Sequence, residues 1–210
     1  MVNAKIRVEQ VMSKKGVFIC IEGLDGSGKS TQAKLLAKKI NKTSTALYTA
    51  EPSQGKIGKF IRKRLFEQKR MPTTVEALLF AADRIEHIEN LVAPALAEGK
   101  VVISDRYVYS SLAYQGSAGL NLEWIESVNA NALKPDLCIF IDVEPAVVLE
   151  RLKRKKSVME NLETQQKVRA IYLKYVEKGE LVRIDGGKSK IEVAEALYVE
   201  VMGFLNKIKA

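Results

Sequence analysis

The sequence is poor in cysteine and histidine and contains no long apolar run. No apolar stretch among its 210 residues approaches the roughly 18–20 residues of a membrane-spanning helix, so we expect no membrane partner. The first residues also lack the apolar segment of about 7–15 residues found in secretory signals. Cys20 and Cys138 lie in apolar runs, where buried thiols are a better interpretation than a disulfide framework. These absences predict a cytoplasmic chain.

Negative charge is in the minority. The chain has 34 Lys and Arg against 25 Asp and Glu, a net charge of +9. Such a balance is typical of nucleic-acid-binding proteins, but the basic residues are spread over three separate segments, 56–65, 151–156 and the last helix. We therefore expect no nucleic-acid partner. A diffuse positive field equally suits an enzyme with polyanionic nucleotide substrates or a thermophile surface rich in Lys and Glu, and charge alone does not choose between them.

Strand-like and helix-like segments alternate along the chain. The apolar runs predict five strands: Val17–Glu22, Ala46–Ala50, Val101–Asp105, Leu137–Asp142 and Leu181–Asp185. Helical spacing predicts helices at Lys29–Ile40, Lys56–Phe66, Thr74–Glu98 with a bend near Pro94, Tyr109–Gln115, Leu122–Ala132, Ala146–Lys156, Gln165–Lys178 and Ile191–Ile208. The pattern predicts an α/β fold in which one domain, residues 17–210, has a five-stranded parallel sheet with helices on both faces. Residues 1–16 are expected to be an N-terminal extension, within which Met12 is a second plausible start.

One glycine-rich segment carries the most specific signal. Gly23–Ser30 reads GLDGSGKS and satisfies G-x-x-x-x-G-K-[ST] between a predicted strand and a predicted helix. Its glycines allow backbone N–H groups to converge on an anion, and the helix N-terminus adds positive charge. Lys29 is expected to reach the β- and γ-phosphates of ATP, and the Ser30 hydroxyl to bind Mg²⁺. The predicted ATP-binding residues are Gly23, Leu24, Asp25, Gly26, Ser27, Gly28, Lys29, Ser30 and Thr31.

Two common classes of phosphate-binding-loop protein lack support. Switch GTPases need an N-K-x-D element, and the near match at Asn41–Ser44 has no Asp and comes too early in the chain. Partition-type ATPases carry an additional lysine near the start of the loop, where this chain has Leu24 and Asp25. These absences favour a phosphotransferase.

From Val17 to its end the chain resembles the thymidylate kinase family, which transfers the γ-phosphate of ATP to dTMP. The resemblance rests on EGLDGSGKST at 22–31, EP at 51–52, LLFAADR at 78–84, SDRYVYSSLAYQG at 104–116, LKPDL at 133–137 and IDVEPAVVLERL at 141–152. It implies a P-loop kinase fold with a short basic lid, Mg²⁺ accompanying ATP, and a homodimer.

The resemblance also assigns residues to the acceptor base and sugar. It implies that Phe80 stacks on thymine, Arg84 lies near the base edge, Ser111 contacts the base, and Tyr114 crowds the 2′ position of the sugar. Phe80 and Arg84 lie four residues apart, as do Ser111 and Gln115, so each pair shares a helix face. Without the family, Phe80 reads equally well as a core residue.

Acidic and basic residues near the phosphates complete the implied site. Arg106 offers a planar fork of donors for the acceptor phosphate. Asp105 either orients Arg106, touches the water shell of Mg²⁺, or only caps the following turn. The resemblance implies that Asp25 reaches toward the sugar hydroxyl of the acceptor; a turn-forming role is the alternative. It also includes Glu51 among the substrate-binding residues.

The lid is expected at residues 151–163. A correctly placed arginine contributes about 10³–10⁵-fold to phosphoryl transfer, and this family takes it from the loop or from the lid. Since the loop has Gly26 and Ser27, the resemblance implies Arg151 or Arg154 as the catalytic arginine; a solvated basic helix end is the alternative.

Two positions depart from the family pattern. Ala50 stands where an arginine often precedes Glu-Pro, and Asn161 stands where the lid often has one. Binding of the acceptor phosphate would then depend on Arg106 alone or on a basic residue of the next helix: Lys56, Lys59 or Arg62. The preferred interpretation is a dTMP kinase; a kinase for another pyrimidine deoxynucleotide such as dUMP and a non-catalytic ATP-binding regulator are the alternatives.

The single histidine, His87, is not needed as a general base. The accepting phosphate oxygen is already anionic at neutral pH, so no proton has to be removed. We expect His87 on the surface or in helix packing.

Overall fold

All five predicted strands form one parallel sheet. The computed structural model describes residues 16–67, 71–152 and 161–208. Its strands are β1 Val17–Gly23, β2 Ala46–Ala50, β3 Val101–Asp105, β4 Leu137–Asp142 and β5 Val182–Asp185. They run parallel in the order β2-β3-β1-β4-β5. The carboxyl ends of β1, β3 and β4 therefore meet at one edge, where open α/β sheets bind ligands.

Helices connect the strands and cover the sheet. They are α1 Lys29–Ile40, α2 Lys56–Phe66, α3 Thr73–His87, α4 Ala93–Ala97, α5 Val108–Ser117, α6 Leu122–Val128, α7 Pro145–Arg151, α8 Leu162–Glu177 and α9 Lys190–Lys207. Every residue of β1 is buried, so helices cover the central strand on both faces. α1 packs with α9, and α5 packs with α8. The predicted α/β class and parallel sheet are confirmed.

The long helix predicted at Thr74–Glu98 is interrupted. α3 ends at His87, a π-helical turn spans Ile88–Val92, and α4 begins at Ala93 with Pro94 in its first turn. Pro94 has no N–H to donate to the preceding turn, so the hydrogen-bond ladder changes register before it. The interruption thus lies on the N-terminal side of the proline that predicted the bend.

Asparagine side chains explain two of the helix ends that differ from prediction. α6 ends at Val128 instead of Ala132, and Asn129, just after it, donates from Nδ2 to Ile125 O at 2.8 Å. α8 begins three residues earlier than expected, because Asn161 caps it by accepting a hydrogen bond from the N–H of Thr164 at 2.7 Å.

The two cysteines are free, buried and opposite each other on β1 and β4, in agreement with the interpretation of Cys20 and Cys138 as core residues. Within the described ranges, no helix combines the length and apolar character needed to cross a bilayer.

Candidate active site

The glycine-rich loop joins the carboxyl end of β1 to α1. Gly28 precedes α1 with φ of 97°, and Gly26 has φ of 85°, both in the left-handed region that side chains other than glycine rarely adopt. This backbone turns the loop sharply and leaves the N-terminus of α1 facing the sheet edge. An anion at that position meets backbone N–H groups and the positive end of the helix dipole.

Lys29 is buried in this loop and donates from Nζ to Leu24 O at 2.6 Å. Burial, reinforced by the positive charge of Arg106, lowers the pKa of Lys29 to about 8, although Asp25, Asp105 and Glu22 act in the opposite direction. Because phosphate oxygens are anionic, bound nucleotide favours the protonated ammonium.

Ser30 and Asp105 form a pair of oxygen ligands at the sheet edge. Ser30 Oγ donates a hydrogen bond to Asp105 Oδ2, while Asp105 Oδ1 is buried and accepts none from the described residues. Burial and the nearby negative charge of Asp105 raise the pKa of Tyr48 to about 12. A hydroxyl and a spare carboxylate oxygen suit Mg²⁺, which needs few protein ligands besides phosphates and water. Across the described chain, no cluster of three or more His, Cys, Asp or Glu side chains is arranged to hold a metal.

Arg106 links the loop to α5. Its backbone has φ of 73°, a value that non-glycine residues adopt at a cost and that commonly marks functional positions. Its guanidinium pairs with Asp25 and donates to Ser110 Oγ at 2.9 Å. Burial alone would raise the pKa of Asp25, but Arg106 and then Lys29 outweigh burial and hold that pKa below its usual range.

Tyr114 completes this junction. Its hydroxyl accepts a hydrogen bond from the backbone N–H of Asp25 at 2.9 Å and lies 3.4 Å from Nη2 of Arg106. The guanidinium of Arg106 lies 4.9 Å from the centroid of the Tyr114 ring. The structure therefore brings together Asp25, Arg106 and Tyr114, which the sequence placed far apart.

Arg84 lies at the centre of a buried polar network. Its Nε and Nη2 reach Glu51 Oε2 at 2.9 and 2.8 Å, and Nη2 also donates to Ser111 Oγ at 3.2 Å. Nη1 donates to Asn129 Oδ1. Three guanidinium N–H groups thus donate hydrogen bonds, Nη2 also forms an ion pair with Glu51, and one N–H on Nη1 has no partner among the described residues.

Gln115 lies beside this network with one amide atom unsatisfied. Its Nε2 donates weakly to Glu76 Oε1 at 3.4 Å, whereas Oε1 is buried and has no hydrogen-bond partner in the described part of the chain. Phe80 is partly buried on α3, one helical turn before Arg84. The predicted base-binding residues therefore share one region on α3 and α5.

The candidate lid is described only at its ends. Arg151, the last residue of α7, is exposed and lies 3.4 Å from the carbonyl of Gly186 in the loop after β5. Arg154 lies outside the described residues, as do Lys155 and Lys156. Asn161, where the resemblance led us to expect an arginine, serves as the cap of α8.

The basic residues of α2 divide into two groups. Lys56 and Lys59 are exposed, while Arg62 is partly buried and donates to Pro52 O and to Gln54 Oε1, the latter at 3.0 Å. Arg62 thereby braces the segment that follows Glu51.

The sequence did not predict the site roles of three buried polar residues: Glu22, Asn129 and His87, whose hydrogen bonds to Thr49 and Glu51 were not expected. Glu22 accepts from the N–H groups of Tyr107 and Ser110 at 2.8 and 3.2 Å, and burial raises its pKa despite these bonds. A signal for Glu22 was available, because a charged residue closes an otherwise apolar strand. Of the two locations expected for His87, the structure shows the packed one.

Comparison with known proteins agrees with this geometry. The family model described as Thymidylate kinase matches residues 21–197. A probable thymidylate kinase of Pyrococcus horikoshii is 46% identical over 187 residues, covering 85% of this chain and 91% of the relative. A probable thymidylate kinase of Methanocaldococcus jannaschii is 41% identical over 192 residues, covering 91% of this chain and 97% of the relative. This chain belongs to the thymidylate kinase family.

Proposed function

We propose that this protein transfers the γ-phosphate of ATP to dTMP, giving ADP and dTDP, and so serves dTTP biosynthesis. The observation that carries the proposal is the junction of Asp25, Arg106 and Tyr114, which holds an anion-binding guanidinium directly beside the glycine-rich loop. Transfer requires two phosphate groups side by side, and most of the catalysis then comes from positioning and neutralised charge.

The donor nucleotide is assigned to the loop from Gly23 to Thr31. Backbone N–H groups and Lys29 hold its phosphates, while Ser30 and Asp105 would hold Mg²⁺, directly or through water. The metal supplies charge neutralisation at the β- and γ-phosphates. The proposal for Asp105 is supported by its unsatisfied Oδ1 and by its hydrogen bond with Ser30.

The acceptor phosphate is assigned to Arg106, which pairs with Asp25 on one side and can turn its remaining donors toward an anion. Arg62 is the second candidate because it lies partly buried beside Pro52. Lys56 and Lys59 are weaker candidates, since exposed lysines bind phosphate only as hydrated point charges.

The donors and acceptors of the network complement thymine. The free N–H of Arg84 can donate to the O4 carbonyl, and the unsatisfied Oε1 of Gln115 can accept from N3–H. Phe80 would stack on the ring, Ser111 would line the base, and Tyr114 would exclude a 2′-hydroxyl. Cytosine carries no N3–H and would leave Gln115 unpaired, whereas uracil differs by one methyl group, which is worth about 1–3 kcal/mol.

Lid arginines are proposed to complete the site. Arg151 already lies near the loop after β5, and Arg154 follows it by three residues. Closure of the lid would bring one of them to the transferred phosphoryl group and exclude water, which would otherwise hydrolyse ATP.

A homodimer is proposed through α2 and α3. These helices pack against each other and, among the side chains that the structure describes, present four exposed large apolar ones: Phe60, Leu65, Val75 and Leu78. Exposed apolar area of this kind marks interaction surfaces, and a second copy is the partner that the family implies.

The compartment and the remaining partners are also proposals. Two free, buried thiols suit a reducing cytoplasm. The dispersed positive charge suits recruitment of nucleotides, so we propose no nucleic-acid or membrane partner.

The test is ADP release from Mg·ATP with dTMP, dUMP, UMP and dCMP in parallel. We expect strong turnover with dTMP, weaker with dUMP, and little with UMP or dCMP; Lys29→Ala should abolish it. Turnover led by another nucleotide would overturn the base assignments while retaining a kinase. ATP binding without turnover on any acceptor would favour the regulator.

A further inference from the structure

His87 is a buried polar residue that phosphoryl transfer does not use. We propose that His87 is a positioning residue: through Glu51 it fixes the guanidinium of Arg84 and thereby sets the affinity for the acceptor base. The inference rests on the proposed function, because it takes Arg84 as the residue that meets the base.

The imidazole is held on both ring nitrogens. Nε2 lies 2.6 Å from Thr49 Oγ1 and Nδ1 lies 3.2 Å from Glu51 Oε1. A carboxylate can only accept a hydrogen bond, so Nδ1 donates to Glu51, and Nε2 pairs with the Thr49 hydroxyl. The ring is 3% exposed, and Thr49 is likewise buried on β2. His87 therefore has one defined orientation.

The carboxylate of Glu51 divides its oxygens between two residues of α3. Oε2 accepts the hydrogen bond from Arg84 Nε at 2.9 Å and forms an ion pair with Nη2 at 2.8 Å, while Oε1 accepts the hydrogen bond from His87 Nδ1. Arg84 and His87 are three residues apart on α3, so they face Glu51 from the same side. Without His87, Oε1 would have no hydrogen-bond donor among the described residues, and the carboxylate would rotate to find one.

The orientation of Arg84 determines where its uncommitted N–H points. Three partners from three elements hold the guanidinium: Glu51 after β2, Ser111 on α5 and Asn129 after α6. Glu51 is the charged partner among these three and contacts both Nε and Nη2, so it dominates the alignment. A rotated Glu51 would carry the guanidinium away from the base while leaving the phosphate-binding residues in place.

Two substitutions separate the two contacts of His87. In His87→Asn the amide nitrogen replaces Nδ1 and keeps a donor for Glu51, whereas in His87→Gln the longer amide replaces Nε2 and keeps the contact with Thr49 alone. We expect His87→Gln to raise KM for dTMP on the order of tenfold, and His87→Asn to raise it less than about threefold. KM for ATP and kcat at saturating dTMP should stay within about twofold in both variants.

The control variant is Asn90→Ala, which removes an exposed hydrogen bond to Glu86 O on the same helical segment and should leave every constant unchanged. Thermal midpoints of all variants are measured in parallel, because a purely structural role of His87 would lower them without separating KM for dTMP from KM for ATP.

A double-mutant cycle with Glu51→Gln tests the path through the carboxylate. If His87 acts through Glu51, His87→Gln should add little to the KM of Glu51→Gln. Equal KM values for His87→Asn and His87→Gln, or full additivity in the cycle, would overturn the inference while leaving the kinase intact. A wild-type protein without dTMP turnover would overturn the proposed function together with the inference. Should His87→Gln fail to fold, His87→Leu, which removes both ring contacts, replaces it in the cycle: KM for dTMP should rise, and that rise should be absent in the Glu51→Gln background.

Discussion

At the scale of single residues, the site depends on side chains whose protonation or geometry is set by their neighbours. Lys29 is an example, since burial and Arg106 lower its pKa to about 8 in the free protein. The protonated form holds phosphate, so ATP affinity should be constant below that pKa and fall by up to about tenfold per pH unit above it. Calorimetric titration of ATP between pH 7 and 9.5 measures this. Lys29→Arg is the control, because a guanidinium does not titrate there and its affinity should not change with pH; an equally steep fall in that variant would assign the effect elsewhere.

Arg106 provides a second test at this scale. Arg106→Lys keeps the charge but loses the planar fork that pairs with Asp25 and Ser110. We expect kcat/KM for dTMP to fall on the order of 100-fold, with KM for ATP changed little. Steady-state kinetics with each substrate varied separately measures the split. Ser117→Ala, which removes a hydroxyl that donates to Tyr114 O on its own helix at 2.8 Å, is the matched control on α5. A comparable loss with respect to ATP would place Arg106 on the donor side.

At the scale of elements, Asn161 shows how one side chain can set where a helix begins. Its side chain caps α8 through the N–H of Thr164. Asn161→Ala should lower the free energy of unfolding by about 1 kcal/mol and leave kcat unchanged. Urea unfolding and the ADP-release assay measure the two quantities. A large loss of kcat with unchanged stability would instead assign Asn161 to the lid chemistry.

Local sequence patterns predicted the strands and helices, but they did not predict which side chains of different elements contact each other. The strands and the glycine-rich loop each depend on a short run of consecutive residues. The observed bounds of β1 to β5 therefore agree closely with the predicted ones. The π-helical turn before Pro94 and the early start of α8 depended on individual hydrogen bonds that propensity does not reveal. The resemblance supplied Glu51, Arg84 and Ser111 as separate residues. With His87 and Asn129 they form one hydrogen-bond network built from four different parts of the chain. The periodicity of the sequence does not predict contacts between such distant parts.

At the scale of the whole molecule, the exposed apolar residues of α2 and α3 are expected to be covered by a second copy. Leu78→Glu places a charge in that proposed interface and should halve the mass measured by light scattering. Val199→Glu is the control, since Val199 is exposed on α9, away from α2 and α3, and should leave the mass unchanged. A wild-type protein with the mass of one chain would contradict the dimer without affecting the kinase assignment.

The central claim is direct transfer of the terminal phosphoryl group of ATP to dTMP between the glycine-rich loop and Arg106. The most direct measurement follows label from γ-labelled Mg·ATP in single-turnover reactions with and without dTMP. The account predicts that the label appears in dTDP, that little is released as inorganic phosphate, and that no label leaves ATP at a comparable rate without dTMP. Label released as inorganic phosphate at the same rate with and without dTMP would contradict it.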